Sequence, residues 1–128
     1  MPSAETLERF VARVESGAHA EAIAEFYVEH GRMRENQGAP RVGRAALVAH
    51  EQGVLRRAKA VESICVRPIL VHGDTVVVRW IFRFQWHNGT ATEMEELAYQ
   101  RWQGEQIVEE QFFYDPAQLK PTEASPAG

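Results

Sequence analysis

This sequence predicts an α+β domain in which N-terminal helices cover a bent, mostly antiparallel sheet. Three observations predict it. The stretch from Ala60 to Tyr114 reads as four strands joined by short turns at His72-Gly73-Asp74, Asn88-Gly89 and Gln103-Gly104-Glu105, and Asn-Gly between apolar runs is a strong hairpin signal. Ahead of that stretch, apolar residues recur at helical spacing in three segments. The strands are long, roughly 9–13 residues against a usual ~5–6. A sheet of that length twists and bends, so helices laid over it enclose a space. A small-molecule pocket is therefore the first functional expectation.

Ser3 is placed to cap the first helix, with Glu5 and Glu8 near its positive end and Leu7, Phe10, Val11 and Val14 on its apolar face. Gly17 ends it. The second helix is expected from about Ala18 to Tyr27, with Ile23, Phe26 and Tyr27 apolar and Gly31 as its breaker. A short strand follows from Arg32 to Asn36, with Met33 and Glu35 on one side, then a loop from Gln37 to Gly43. The third helix is expected from about Arg44 to Ala58, with Leu47, His50 or Glu51, and Val54 facing inward.

In the first long strand Ile64, Val66, Pro68 and Leu70 share a face, and Pro68 marks an edge or a bulge because it cannot donate to a ladder. The second separates its sides clearly. Val76, Val78, Trp80, Phe82, Phe84 and Trp86 form the buried face, whereas Val77, Arg79, Ile81, Arg83 and Gln85 form a mixed outer face. In the third, Glu96, Ala98, Gln100 and Trp102 oppose Glu95, Leu97, Tyr99 and Arg101. The last strand alternates Val108, Glu110, Phe112 and Tyr114 with Ile107, Glu109, Gln111, Phe113 and Asp115. The first of these two sets is the better candidate for the interior.

The 128 residues fit one domain, 1–116, followed by a Pro-, Ala- and Ser-rich stretch, 117–128, expected to be a disordered tail. Net charge is −4, and Arg56-Arg57 is the longest basic run. Nucleic acid is therefore not the expected partner. No run of ~18 apolar residues exists to cross a membrane. The N-terminus lacks the basic and apolar regions of a signal peptide, and Cys65 is a lone cysteine, so a reduced cytoplasmic setting is expected. No histidine pair has the close helical spacing of a metal site, and neither a metal nor a cofactor is expected.

Two segments carry a family resemblance. Met33-Arg34-Glu35-Asn36, then Pro40-Arg41-Val42-Gly43 and a helix, looks like one. Trp102-Gln103-Gly104-Glu105-Gln106-Ile107-Val108-Glu109-Glu110, followed by Phe112-Phe113-Tyr114-Asp115-Pro116, looks like the other. Together with the element order, they resemble the nuclear transport factor 2-like superfamily, in its SnoaL-like and ketosteroid isomerase-like branch, across about residues 4–116. The resemblance implies a cone-shaped α+β half-barrel, with its three N-terminal helices on the concave face of the sheet. It also implies a homodimer paired through the outer sheet face, here carrying Val77, Ile81 and Tyr99. The scaffold hosts isomerases, cyclases, hydrolases and plain binding domains, so function must be argued from the site.

By resemblance Glu35 falls where the isomerases place their proton-moving carboxylate, although Asn36 replaces the usual proline; the alternative is a solvated carboxylate at a strand end. Beside an apolar pocket such a carboxyl has a raised pKa and becomes a useful base. Tyr27 is a candidate oxyanion donor or a rim aromatic. The isomerases' donor tyrosine lies on the first helix, and Phe10 to Val14 contains none. The position of the family's protonated Asp falls near Ala98, with Glu96 one pleat away as its substitute or as the partner of an arginine. Glu96 and Glu110 would share one proton if both lie inside. His50 is a candidate acid or base, while His19, His30, His72 and His87 read as surface groups. Asp115 resembles the family's terminal Asp, which the resemblance makes either catalytic or a cap.

Trp80, Trp86, Trp102, Glu110, Phe112 and Tyr114 are expected to bind a flat, hydrophobic small molecule. The leading functional expectation is a cofactor-independent isomerase or cyclase that moves a proton next to a carbonyl. A non-catalytic binding or sensing domain, an epoxide-type hydrolase and a structural dimerisation domain are the rivals. Hydrolysis requires an arginine among the acids, and Arg79 and Arg83 read as facing outward.

Overall fold

The computed structural model describes residues 1–123. Helices α1 (Ala4–Glu15) and α2 (His19–Phe26) precede strand β1 (Tyr27–Glu35), the two-residue strand β2 (Arg41–Val42) and helix α3 (Arg44–Arg57). Strands β3 (Ala58–His72), β4 (Thr75–Trp86), β5 (Thr90–Gln103) and β6 (Gln106–Phe113) follow, then a 3-10 turn (Pro116–Leu119) and β7 (Thr122–Glu123). Among the described residues no helix is long and apolar enough to cross a membrane.

The local chemistry behaves as the sequence predicts. Ser3 caps α1 by accepting from the Thr6 backbone N–H. Leu7, Phe10, Val11 and Val14 are buried against the sheet, and Phe10 meets Phe26 and Trp102 edge-on. The Asn88-Gly89 turn depends on glycine, since Gly89 adopts φ 86°. The core of β4 is nearly dry: Val76, Val78 and Trp80 are all buried.

Two elements differ from expectation. Tyr27 caps the C-terminus of α2, as expected, but it also opens β1, a nine-residue strand where only Arg32 to Asn36 was expected. The cause is non-local, because β1 pairs in parallel with β6, which is distant in the chain. Gly31, expected to break a helix, lies inside β1 where the register to β6 shifts. A Cβ there would sit 3.0 Å from the Val28 carbonyl oxygen.

The cone-shaped half-barrel is overturned. The sheet is an open path, β2-β1-β6-β5-β4-β3, and its end strands β2 and β3 do not pair. What bridges the two ends is α3, which touches β1 and β2 on one side and β3 on the other. Closure of a sheet requires a ladder between its end strands; here a helix spans that gap and leaves the strands open. β3 is an edge, as Pro68 indicated, and its register to β4 shifts between Val66 and Leu70.

The segment expected as a tail carries structure as far as Glu123, and residues 124–128 lie outside the described residues. Asp115 caps the 3-10 turn through the Ala117 N–H. The β5–β6 pairing stops at Leu97 opposite Phe113. Beyond it the Gln118 side chain accepts from the Glu95 N–H (2.7 Å) and donates to the Glu95 carbonyl (3.1 Å). β7 then pairs with Thr90 and Ala91.

Candidate functional site

Between the helices and the inner sheet face lies a cavity of about 890 Å³. Its sheet wall is the β4 stripe of Trp80, Phe82, Phe84 and Trp86, in two stacked pairs with ring centroids 5.4 and 4.9 Å apart. Period-two alternation puts all four on one face. Glu35, Glu51, Glu96 and Glu110 bring carboxyls to the same cavity from β1, α3, β5 and β6.

The innermost polar groups form one chain. Gln100 and Glu110 are directly opposed across β5 and β6, so their side chains share a face. Gln100 Nε2 donates to Glu110 Oε2 at 2.6 Å, and Trp102 Nε1 donates to Gln100 Oε1 at 2.9 Å. Tyr27 at the start of β1 donates its hydroxyl to Glu110 Oε1. All four residues are buried. Burial pushes the Glu110 carboxyl up to about 7, and the Tyr27 and Gln100 hydrogen bonds hold it from rising further. Burial, then the charge of Glu110, lifts the Tyr27 hydroxyl well above the ordinary phenol range.

Glu96 lies opposite Trp80 and has no side-chain hydrogen bond among the described residues. Burial pushes its carboxyl up to about 8, helped by the charges of Glu110, Glu35 and Glu51. A carboxyl of this kind holds its proton at neutral pH and can donate it.

Glu35 sits exposed at the mouth, at the end of β1. Asn36 fixes that end to β6: its N–H donates to the Phe112 carbonyl at 2.7 Å and its Oδ1 accepts from the Tyr114 N–H at 3.0 Å. Asn36 takes φ 49°, a conformation that asparagine tolerates and proline cannot adopt. The Tyr114 hydroxyl is pushed up to about 12 by burial and by the neighbouring Glu35.

Of the residues singled out from sequence, Glu35, Glu96, Tyr27, His50, Trp80, Trp86, Glu110 and Phe112 line the cavity. Trp102 and Tyr114 do not. Trp102 is packed under Phe10 behind the wall, and Tyr114 packs against the core beside Glu35. His50 is exposed at the mouth, and it is Glu51 that reaches inward.

His19 departs from its reading as a surface group. It is buried, with Nε2 2.7 Å from Ser63 Oγ and Nδ1 3.3 Å from Glu51 Oε1, and its ring meets Phe82 edge-on. It ties α2 to both α3 and β3, a junction between distant segments that its place beside a turn did not reveal. Gln100 did leave a signal, being a polar residue in phase with buried Ala98 and Trp102.

Among the described residues, the arginines divide sharply. Arg9, Arg13, Arg32, Arg67, Arg79, Arg83 and Arg101 each pair with a glutamate. Arg44 donates to the Tyr27 carbonyl. Arg34, Arg41, Arg56 and Arg57 pair with no carboxylate, and all four line the cavity. Arg79 and Arg83 lie on the outer face, bound to Glu95, Glu93 and Glu62. No group of three or more His, Cys, Asp or Glu among the described residues is placed to hold a metal ion.

A family model for the SnoaL-like domain matches residues 7–110. No curated protein matches the chain significantly in sequence. Solved structures match over nearly the whole chain. One is a hypothetical protein with a ketosteroid isomerase-like fold from Catenulispora acidiphila, in complex with trimethylamine; it is 17% identical, with TM-score 0.75, over 91% of this chain and 89% of that one. Another is an NTF2-like protein of unknown function from Burkholderia pseudomallei, 13% identical, TM-score 0.75, over 90% and 92%. A third is a Mycobacterium tuberculosis LEH-like epoxide hydrolase, 10% identical, TM-score 0.73, over 89% and 83%. Likeness at these identities establishes the fold, that of the nuclear transport factor 2-like superfamily.

Proposed function

The chain belongs to the SnoaL-like domain family, and from that premise we propose that its cavity binds a flat, mostly apolar molecule and moves a proton next to a carbonyl. The observation that carries this reading is Glu96, an unpartnered carboxyl kept protonated beside Trp80 in an aromatic-walled cavity. Glu96 donates to the carbonyl oxygen and holds the enolate as it forms. Glu35 takes the α-proton and returns it one or more carbons away, which makes the reaction an isomerisation or a ring closure. Tyr27 gives its hydroxyl to Glu110 and so acts on the site through that carboxyl. His50, at the mouth, faces the bound molecule's outer end. The reaction as written uses only the chain's own carboxyls.

The test is hydrogen–deuterium exchange at the α-carbon of 2-tetralone, followed by NMR. Wild type should accelerate exchange over buffer. Glu35→Gln should lower the rate by ~10²–10⁴ and Glu96→Gln by ~10²–10³. Exchange no faster than in buffer would leave a binding domain.

Arg34 favours one second reading. Its Nε is buried without a partner in the cavity that holds Glu35 and Glu96, which is the arginine that a hydrolytic site for an epoxide requires. Turnover of styrene oxide to its diol, lost in Glu35→Gln, would move the assignment to hydrolysis.

Homodimerisation belongs to the same proposal. Leu97 (46% exposed), Tyr99 (49%) and Phe113 (37%) adjoin on the outer face and give it an apolar centre. Sedimentation should give a dimer at micromolar concentration, and Leu97→Glu a monomer.

A further inference from the structure

The basic residues of the cavity are not spread at random over it. Arg56 and Arg57 end α3, and Arg57 lies over the Trp86 ring, 5.9 Å from its centroid. His87 joins them, because its backbone N–H donates to the Arg57 carbonyl. Arg41 stands at the opposite end of α3, on β2. All four are exposed and line the cavity, whereas Glu96 and Glu110 sit further in.

A helix C-terminus favours cations, which accounts for arginines in the last turn of α3. It does not account for their lack of a carboxylate. The chain has 18 acidic residues for 14 basic ones, and the arginines outside the cavity that pair with side chains all found glutamates. Guanidinium groups left free around one opening are available to a ligand. Their planar fork matches a carboxylate or a phosphoryl group, and near an aromatic wall they are less hydrated than an ammonium.

The inner end makes the opposite demand. The protonated Glu96 carboxyl offers a hydrogen bond to a neutral oxygen and no site for an anion. From Glu96, opposite Trp80, to Trp86 is six residues of strand, ~20 Å at ~3.3 Å per residue. The cavity is polar in kind at both ends and aromatic between them.

We propose that the mouth arginines, with Arg57 foremost, hold an oxyanion on the ligand, so that the pocket takes an elongated aromatic or polycyclic acid whose neutral carbonyl or hydroxyl end points inward. This inference rests on the ligand-binding reading above and adds the charge and the orientation of what is bound.

The experiment is calorimetric titration of the full chain at pH 7 with 4′-hydroxybiphenyl-4-carboxylate, its primary amide, and the monophosphate ester of 4,4′-dihydroxybiphenyl. The carboxylate or the phosphate should bind about tenfold or more tightly than the amide, as expected for charge-assisted hydrogen bonds. Whichever of the two is tighter identifies the oxyanion. The advantage should shrink as salt rises from about 20 to about 300 mM. Arg57→Gln should remove most of it while weakening the amide far less than the acids, and retained amide binding also shows that the variant is folded. Arg79→Gln, on the outer face, should change nothing. An amide that binds as tightly as the acids overturns the oxyanion inference while the pocket reading stands. Equal loss of acid and amide binding in Arg57→Gln overturns it as well. Failure of all three probes to bind overturns both readings.

Discussion

Tyr27 donates its hydroxyl to Glu110, 83 residues away in sequence, with both side chains buried. The bond ties β1 to β6, and Gln100 completes the coordination of the same carboxyl from β5. Three strands thus meet on one acid under the cavity. Replacing Tyr27 by Phe removes a donor that lowers the affinity of Glu110 for its proton. The variant should be less stable by about 1–3 kcal/mol. The loss should be larger at pH 8, where Glu110 is ionised and needs donors, than at pH 5; urea midpoints at the two pH values measure it.

Stability itself should fall as pH rises. Glu96 and Glu110 have folded-state values of about 8 and about 7, both above the ordinary 4.5. Between about 4.5 and 8 the native chain therefore holds more protons than the unfolded one, and stability declines across that window. Below it the protonated carboxyls exact no penalty, and above it the penalty is constant. Glu96→Gln should flatten part of the decline and raise the urea midpoint at pH 8. Midpoints that climb from pH 5 to pH 8 would contradict the raised values.

The proposed reaction has its own pH signature. Glu96 works protonated, so exchange of 2-tetralone should fall as pH passes about 8. That alkaline limb should vanish in Glu96→Gln, leaving a slower rate that is flat there. The same limb surviving in the variant would assign the donor to another group.

His19 joins Ser63 and Glu51 at the back of the pocket. Ser63→Ala should cost about 1 kcal/mol through one lost hydrogen bond. His19→Ala should cost more, about 2–4 kcal/mol, because it also opens a cavity against Phe82. Thermal denaturation separates the two. If the ring serves only to join α2, α3 and β3, the 2-tetralone rate of Ser63→Ala should equal that of wild type.

Much of this was legible in the chain. The β4 alternation, the three turns and the Ser3 cap all follow from local spacing. Asp115 as a cap was one of the two roles that the family resemblance implied. What was hidden depends on segments far apart. β1 exists as a long strand because β6 lies beside it, and Tyr27 was read as helical because its apolar neighbours Ile23 and Phe26 are. His19 is buried by two elements that its sequence neighbours do not announce. The open sheet was missed because strand length predicts bending but not whether the end strands meet, and α3 fills the place where they would. The free arginines were beyond reach for a further reason: which cations lack a partner is known only once every glutamate has been placed.

The Gln118 side chain stands where a strand would be. Its amide supplies both a donor and an acceptor to Glu95, and β7 continues the seal at Thr90 and Ala91. The same segment brings Leu119 and Pro121 to the cavity wall. Half of β5 is therefore an interior strand only by courtesy of the last residues. A chain cut after Asp115 would bare a ready template for a neighbouring molecule's backbone and unroof the pocket in the same stroke. A single short strap thus covers a strand edge and walls the cavity, and a proteolytic nick between Pro116 and Glu123 should disturb both at once.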